Sequence, residues 1–386
     1  MQRRQFLAAT GLTLLGGTTG CVGQLSSPLA PTSDEPIAVD ETWNQPGGGP
    51  GHAYAASGSG PGAAIESRWR FSDGDSHLEP MAIADDTVFV ASGSTVVALD
   101  ASRGTERWRA AVDSNDDLLA VGPDHLFLSD GWIEREPETA SVTPYPESSP
   151  HQDRFVLLED LFVYLTDDAV VAGRPGADEA RWRRPLDRPH SLCGVADQMV
   201  VVATETGLAG LSLSDGSQQW LREDLWSEVS FVDVAGADER VYATTWTRDA
   251  TVFALDAASG ETAWTYEPPT QVWLTADSDH VVLGGLPDVE PMNRVDVLDA
   301  AGDRQWVVPT DSNDTTVHVP VLADGVVYAA HVADCFAYDL ASGEELWSLS
   351  PDGLLPSDLY PLGQPLVAGD GLFLEQDGAV YGFGPA

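Results

Sequence analysis

An eleven-residue phrase recurs along this chain, and a phrase that returns at a near-fixed spacing confines the fold to repeat architectures before any local reading is made. It reads Ala254-Leu-Asp256-Ala-Ala-Ser259-Gly260-Glu-Thr-Ala-Trp264. It returns as Ala98-Leu-Asp100-Ala-Ser-Arg-Gly104-Thr-Glu-Arg-Trp108 and as Ala337-Tyr-Asp339-Leu-Ala-Ser-Gly343-Glu-Glu-Leu-Trp347. Each copy begins at the end of a strand-like run, such as Thr251-Val-Phe-Ala-Leu255, and leads into a second strand at the Trp. The Asp carboxylate is suited to cap a tight turn, and the Gly to supply a positive φ. The Trp then carries a large apolar surface back into a core.

Marker tryptophans stand at positions 69, 108, 182, 220, 264, 306 and 347, with intervals of 39, 74, 38, 44, 42 and 41 residues. Tyr145, in Ser-Val-Thr-Pro-Tyr145-Pro, bisects the long interval and brings the markers to eight, at a period of about 40. Within each repeat, turn residues punctuate short alternating runs, and no stretch carries a 3.6-residue apolar period. Four short strands per repeat of about 40 residues is the pattern of a β-propeller blade. After Trp347 comes an incomplete unit: the runs Gln364 to Ala368, Gly371 to Leu374 and Ala379 to Phe383, with no marker strand. Near the start, Ile65-Glu-Ser-Arg-Trp69-Arg-Phe71 is a marker strand without a blade. Together the two halves make an eighth blade. The sequence therefore predicts an all-β, eight-bladed propeller of four-stranded antiparallel blades over residues 65–386. Its last blade is closed by the N- and C-terminal strands, which removes the edges an open array would expose.

The residues ahead of the repeats read differently. Residues 1–20 form an export signal in which Arg3 and Arg4 are the twin-arginine pair, followed by an apolar run from Phe6 to Leu15 that is short for a membrane span. Gly16-Gly-Thr-Thr-Gly20-Cys21 resembles a lipobox, with Thr18 where bacterial lipoboxes usually carry Leu. Cys21 is the expected lipidation site; cleavage nearby and release is the competing outcome. Residues 21–64 are a Ser/Pro/Gly-rich tether in which Trp43 and Tyr54 are expected to anchor the chain on the folded body. Cys193 and Cys335 sit singly in apolar surroundings and read as buried small hydrophobes.

The chain carries 61 acidic residues against 19 basic ones, a formal net charge of −42, and every basic residue is arginine. Such a charge drives a compact chain apart in dilute buffer, whereas at molar salt the Debye length falls to roughly 3 Å. Because the acids are interleaved with the strand-like runs, they indicate a folded protein adapted to very high salt and not an acidic tail. Nucleic acid is excluded as a partner, since phosphate binding needs a basic face.

The phrase Ala-x-Asp-x-x-Ser-Gly-x-x-x-Trp resembles the tryptophan-docking repeat of the pyrroloquinoline-quinone-like propellers. Residues 254–264 and 337–347 match it throughout, with Glu261 where the family often has Lys; residues 98–108 carry Arg103 in place of Ser/Thr. Gly302-Asp-Arg-Gln-Trp306 and Asp215-Gly-Ser-Gln-Gln-Trp220 are looser copies, and the repeat at Tyr145 is degenerate. The resemblance spans Ile65 to Phe383 and implies a structural docking role for Asp100, Gly104, Trp108, Asp256, Gly260, Trp264, Asp339, Gly343 and Trp347. Two branches matter. Quinoprotein dehydrogenases use adjacent cysteines, an Asp base and Glu/Asn calcium ligands, and this sequence has no Cys-Cys pair or matching constellation. The exported lipoproteins that assist outer-membrane protein assembly are non-enzymatic and share this chain's length and layout, and from them only the module type carries over.

No Walker loop, Gly-x-Ser-x-Gly elbow, His-Glu-x-x-His or Cys-x-x-Cys is present, and with acids so abundant no carboxylate pair is assigned a catalytic role. His77, His190 and His318 each precede an apolar run that opens a blade and are candidates to point at the axis, with Glu79 nearby. Their unequal spacing favours ordinary polar residues at strand starts. Trp226, Trp246 and Trp273 lie off the marker positions; Trp246, in an inter-strand loop, reads either as a contact for a partner or as packing on a neighbouring blade. No catalytic residue, metal or cofactor is expected. The expectation is an exported propeller held by lipidated Cys21 on the outer face of the cytoplasmic membrane. There it would act as a non-enzymatic scaffold for protein partners or a cell-surface ligand. The alternatives are a quinone-dependent dehydrogenase and a sensor or substrate-binding component of an exported complex.

Overall fold

A computed structural model describes residues 31–386, apart from 40–41, 46, 52, 57, 74–78, 93, 113–117, 138–140, 146–153, 160, 176, 178, 226–230, 246–249, 270, 286–293, 310–318, 331–333, 350–363 and 377. Arg3, Arg4 and Cys21 lie outside the described residues.

The alternating runs form eight sheets of four blade strands each, almost without helix. Blade 1 runs through Glu79–Ala84, Thr87–Ser92, Thr95–Asp100 and Glu106–Ala111. Blades 2 to 7 repeat the meander, and their first strands are Leu118–Val121, Phe155–Leu157, Pro189–Ala196, Phe231–Ala237, Val272–Ala276 and Val321–Ala323. Blade 8 takes Leu366–Ala368, Gly371–Gln376 and Ala379–Pro385 from the C-terminus and Ile65–Phe71 from the N-terminus. Ile65 pairs with Pro385 and Phe71 with Val380, antiparallel, as the split marker strand predicts. First strands of successive blades touch one another, blade 8 touching blade 1, so these are the inner strands and the ring is closed.

The core lies between blades. Side chains from facing blades form the apolar clusters, for example Val295, Val297 and Val282 of blade 6 against Leu322, Val327 and Tyr338 of blade 7. Outer strands face solvent, as the mostly exposed Thr262–Tyr266 shows. Each blade is thus a two-faced wedge whose stability depends on its neighbours.

The Gly/Pro-rich stretch before Ile65 runs round the ring. It hydrogen-bonds at or just beyond the C-terminal end of every inner strand, in blade order. Trp43 exchanges backbone bonds with Ile83 of blade 1, and Val121 of blade 2 donates to the Asn44 carbonyl. The Gln45 side-chain amide reaches blade 3, where it donates to the Leu157 carbonyl at 2.8 Å and accepts from the Leu157 N–H at 2.7 Å. Val195, Gly236 and Ala276 donate to the carbonyls of Pro50, Gly51 and Ala53. Leu322 of blade 7 donates to the Tyr54 carbonyl, beside a short parallel strand, Ala55–Ala56, on that blade. Gly60 completes the circuit on Gly369 of blade 8. Trp43 and Tyr54 anchor the stretch as expected: Trp43 is 2 % exposed, and the rings lie 6.5 Å apart. Glycine at position 51 permits the close approach, because a Cβ there would sit 2.0 Å from the Gly236 carbonyl oxygen.

Candidate functional site

The recurring phrase builds one joint several times over. In its turn the Ser259 N–H and hydroxyl donate to Asp256 Oδ1 at 2.9 and 2.7 Å, while Gly260, at φ +70°, donates to the Asp256 carbonyl. Asp339, Ser342 and Gly343 repeat this with bonds of 2.8 and 2.6 Å to Asp339 Oδ1. The serine hydrogen bonds hold the Asp256 and Asp339 carboxyls below their ordinary pKa. At Asp100 burial pushes upward, but hydrogen bonds from Ser102 and Arg107 outweigh it and the pKa is lowered.

The Trp of one phrase docks on the turn of the next blade. Trp220 lies on Gly260, Trp264 on Gly302 and Trp306 on Gly343, and a Cβ on any of these glycines would meet the indole at 2.7–2.8 Å. Each indole N–H donates to the carbonyl of the residue after the turn's first position: Trp69 to Ala101, Trp182 to Leu213, Trp220 to Ala257, Trp264 to Ala300 and Trp306 to Leu340, all at 2.7–2.9 Å. The leading small residue of the phrase sits opposite its own Trp across the sheet, Ala98 to Trp108, Ala254 to Trp264 and Ala337 to Trp347, each beside a bulge. Replacing Gly260 with Ala is expected to cost about 2–4 kcal/mol, from left-handed strain and displacement of Trp220. Gly325→Ala, at φ +85° with open space around its Cβ position, should cost only about 1–2 kcal/mol. Equal losses in urea midpoints at molar salt would mean that the docking contact contributes nothing.

Two joints depart from this plan. Blade 8 has no such turn because its outer strand comes from the N-terminus; there Trp347 donates instead to the carbonyl of Pro61, at 2.8 Å. In degenerate blade 2, Tyr145 bonds back to Leu128 of its own blade, and among the described residues the Trp108 indole N–H has no acceptor on that blade. A cleft of about 920 Å³ opens there, lined by Trp108, Phe89, Arg107, Arg135, His125 and Glu136 among others. Arg107 is paired with Asp100 and Arg135 with Asp85, and the Arg135 guanidinium lies 5.4 Å over the Phe89 ring.

Sequence reasoning missed Gln45, and it missed Arg68, whose buried guanidinium binds Glu66 at 2.7 Å, Glu35 and Ser33, and the Pro385 carbonyl. The flanking Glu66 and the mid-strand position were the available signal for Arg68. His77, His318, Trp226, Trp246 and the side chains of His190, Glu79 and Cys193 lie outside the described residues. Trp273 is half-buried on the inner strand of blade 6. Cys335 is fully buried and its thiol is pushed up to about 12 by burial. Among the described residues no group of three or more His, Cys, Asp or Glu converges as a metal site would.

The sequence matches the family described as outer membrane protein assembly factor BamB over residues 63–130 and 166–384. The chain belongs to that family. The gap in the match, 131–165, falls on the degenerate outer half of blade 2 and the start of blade 3, where the docking phrase is lost. No curated protein matches significantly. Among solved structures, the chain is similar to the computationally designed Ika8 protein, with a TM-score of 0.65, 12 % identity, and coverage of 85 % of this chain and 99 % of that one. BamB from Moraxella catarrhalis gives a TM-score of 0.59 at 14 % identity, covering 83 % of this chain and 100 % of its own. At such identities these two likenesses speak for the fold alone.

Proposed function

We propose that the protein is an exported propeller, lipidated at Cys21, that serves as a non-enzymatic binding platform for proteins or a surface ligand on the outer face of the cytoplasmic membrane. The observation that supports this reading is the use made of the recurrent residues. Asp256, Gly260, Trp264 and their copies form joints between blades, and recognition is left to the loops where the repeats differ. Membership in a family named for an assembly factor agrees with a protein-contacting role, and only the module is carried over, not the job.

The path of the N-terminal stretch bears on presentation. Thr32 donates to the Ser67 carbonyl on the outermost strand of blade 8 before the chain turns in toward Trp43. From Cys21 to that point an extended chain reaches at most about 40 Å, so the lipid holds this rim near the membrane. Replacing Cys21 with Ser is expected to move the protein from the membrane to the soluble fraction. Affinity capture from membranes solubilised in high salt should then recover a defined partner with wild-type protein. Unchanged membrane retention removes the anchor, and quinone-stimulated dye reduction with an alcohol or aldose would replace the scaffold with a dehydrogenase.

A further inference from the structure

We propose that the cleft between blades 1 and 2 is a docking socket for a glycine-bearing turn of a protein partner, seated on Trp108. This rests on the scaffold reading and gives it a location. The chain itself shows what an indole at this station takes. Five marker tryptophans are covered by a turn of the next blade, which offers a carbonyl to the indole N–H. The glycine of that turn lies so close that any side chain would collide with the ring.

The sixth case is more informative. Trp347 lacks a blade turn and is served by Pro61, in the segment Gly58-Ser-Gly-Pro-Gly62, which is not part of any blade. A vacant station is thus filled, within this molecule, by a Gly/Pro-rich peptide arriving from elsewhere in the sequence. Trp108 presents its half-buried indole from the same strand position, with Ala98 opposite it, and its station opens into the cleft of about 920 Å³. That volume suits a short turn.

Charge narrows the occupant. The two arginines of the cleft already have carboxylate partners in Asp100 and Asp85. The carboxylates of Asp124, Glu134 and Glu136 also line it and have no ion-pair partner among the described residues. The turn that fits is therefore flanked by basic residues. Shape selects the glycine, the indole N–H, which has no acceptor among the described residues, selects a carbonyl, and the rim selects the flanks.

The test uses the full chain at molar salt with ¹⁵N-labelled tryptophan, the Trp108 signal being assigned by Trp108→Phe. Without ligand, the Trp108 indole proton should exchange with solvent roughly tenfold or more faster than those of Trp69, Trp182, Trp220, Trp264, Trp306 and Trp347, which are hydrogen-bonded. The probe is the synthetic peptide Arg-Gly-Ser-Gly-Pro-Gly-Arg. It should shift the Trp108 signal and slow its exchange, and the same peptide with Glu flanks or with Ala for Gly should bind more weakly. A Trp108 indole as protected as the other six without peptide, or one that no peptide shifts, overturns the proposal. If Trp108→Phe fails to fold, Glu136→Arg on the exposed rim decides: it should reverse the preference for Arg over Glu flanks, and an unchanged preference overturns the socket. These readouts concern one indole, so their failure leaves the membrane anchor and the capture experiment standing on their own.

Discussion

Transferred from molar salt into dilute buffer, the protein is expected to unfold. Forty-two net negative charges held within a compact body of radius about 25 Å repel one another by an energy on the order of tens of kcal/mol more than in an expanded chain. Net folding stability is only about 5–15 kcal/mol. At molar salt the screening length of roughly 3 Å confines each charge to its nearest neighbours, whereas at 0.01 M it grows to about 30 Å and the whole ring interacts. Surface arginines relieve little of this, because they are matched to single nearby acids. Arg109 bonds Glu106 at 2.6 Å, Arg183 bonds Asp168 at 2.7 Å and Arg222 bonds Asp224 at 2.7 Å. Exposed pairs of this kind contribute about 0–1 kcal/mol each. Far-ultraviolet circular dichroism and tryptophan fluorescence during dialysis provide the measurement. A native signal that persists in dilute buffer refutes adaptation to high salt.

Truncating Trp43 to Ala is expected to cost about 3–5 kcal/mol, the usual range for deleting a buried Trp from a packed site. Its ring is 2 % exposed, lies near Tyr54 and sits in the same cluster as Ile83. It also covers Gly48, where a Cβ would stand 3.3 Å from the indole. The circuit that begins at Trp43 adds hydrogen bonds at the ends of all eight inner strands, each contributing about 1 kcal/mol. Removing the stretch leaves several of those backbone groups without partners. Urea titration at molar salt should show a lowered midpoint with an unchanged slope for Trp43→Ala, as expected when the folded ring is weakened but its extent is kept. A loss below about 1 kcal/mol would mean that the stretch lies against the ring without supporting it.

Blade number and ring closure were legible because they depend on local chemistry. A turn that needs Asp, Ser and Gly at fixed offsets writes those residues into the sequence wherever it occurs. The split eighth blade could be read because half a motif at each end has only one completion. The course of residues 43–60 was not legible. Apart from the Gln45 side chain on Leu157, its bonds to the inner strands are formed by backbone groups with partners up to 309 residues away, Gly60 to Gly369, and backbone groups leave no residue signature. Glycines that permit close approach, such as Gly51, are compositionally the same as glycines of a free linker. Only Trp43 and Tyr54 betrayed contact, and they did so through their apolar area. The open station at Trp108 was visible in part, as a motif that fails to return on time, but its meaning needed the geometry of the filled stations beside it.

The circuit along the inner strands also acts as a ruler. Repeat proteins gain and lose units readily, since each unit contacts only its neighbours. Here one continuous stretch reads the blades in order, Ile83, Val121, Leu157, Val195, Gly236, Ala276, Leu322 and Gly369, with at least one hydrogen bond for each. A ninth blade would find no residue waiting for it, and deletion of one blade would leave Gly60 out of step with its acceptor by one place. Eight is therefore recorded twice in this chain, once in the repeats and once in the segment that counts them.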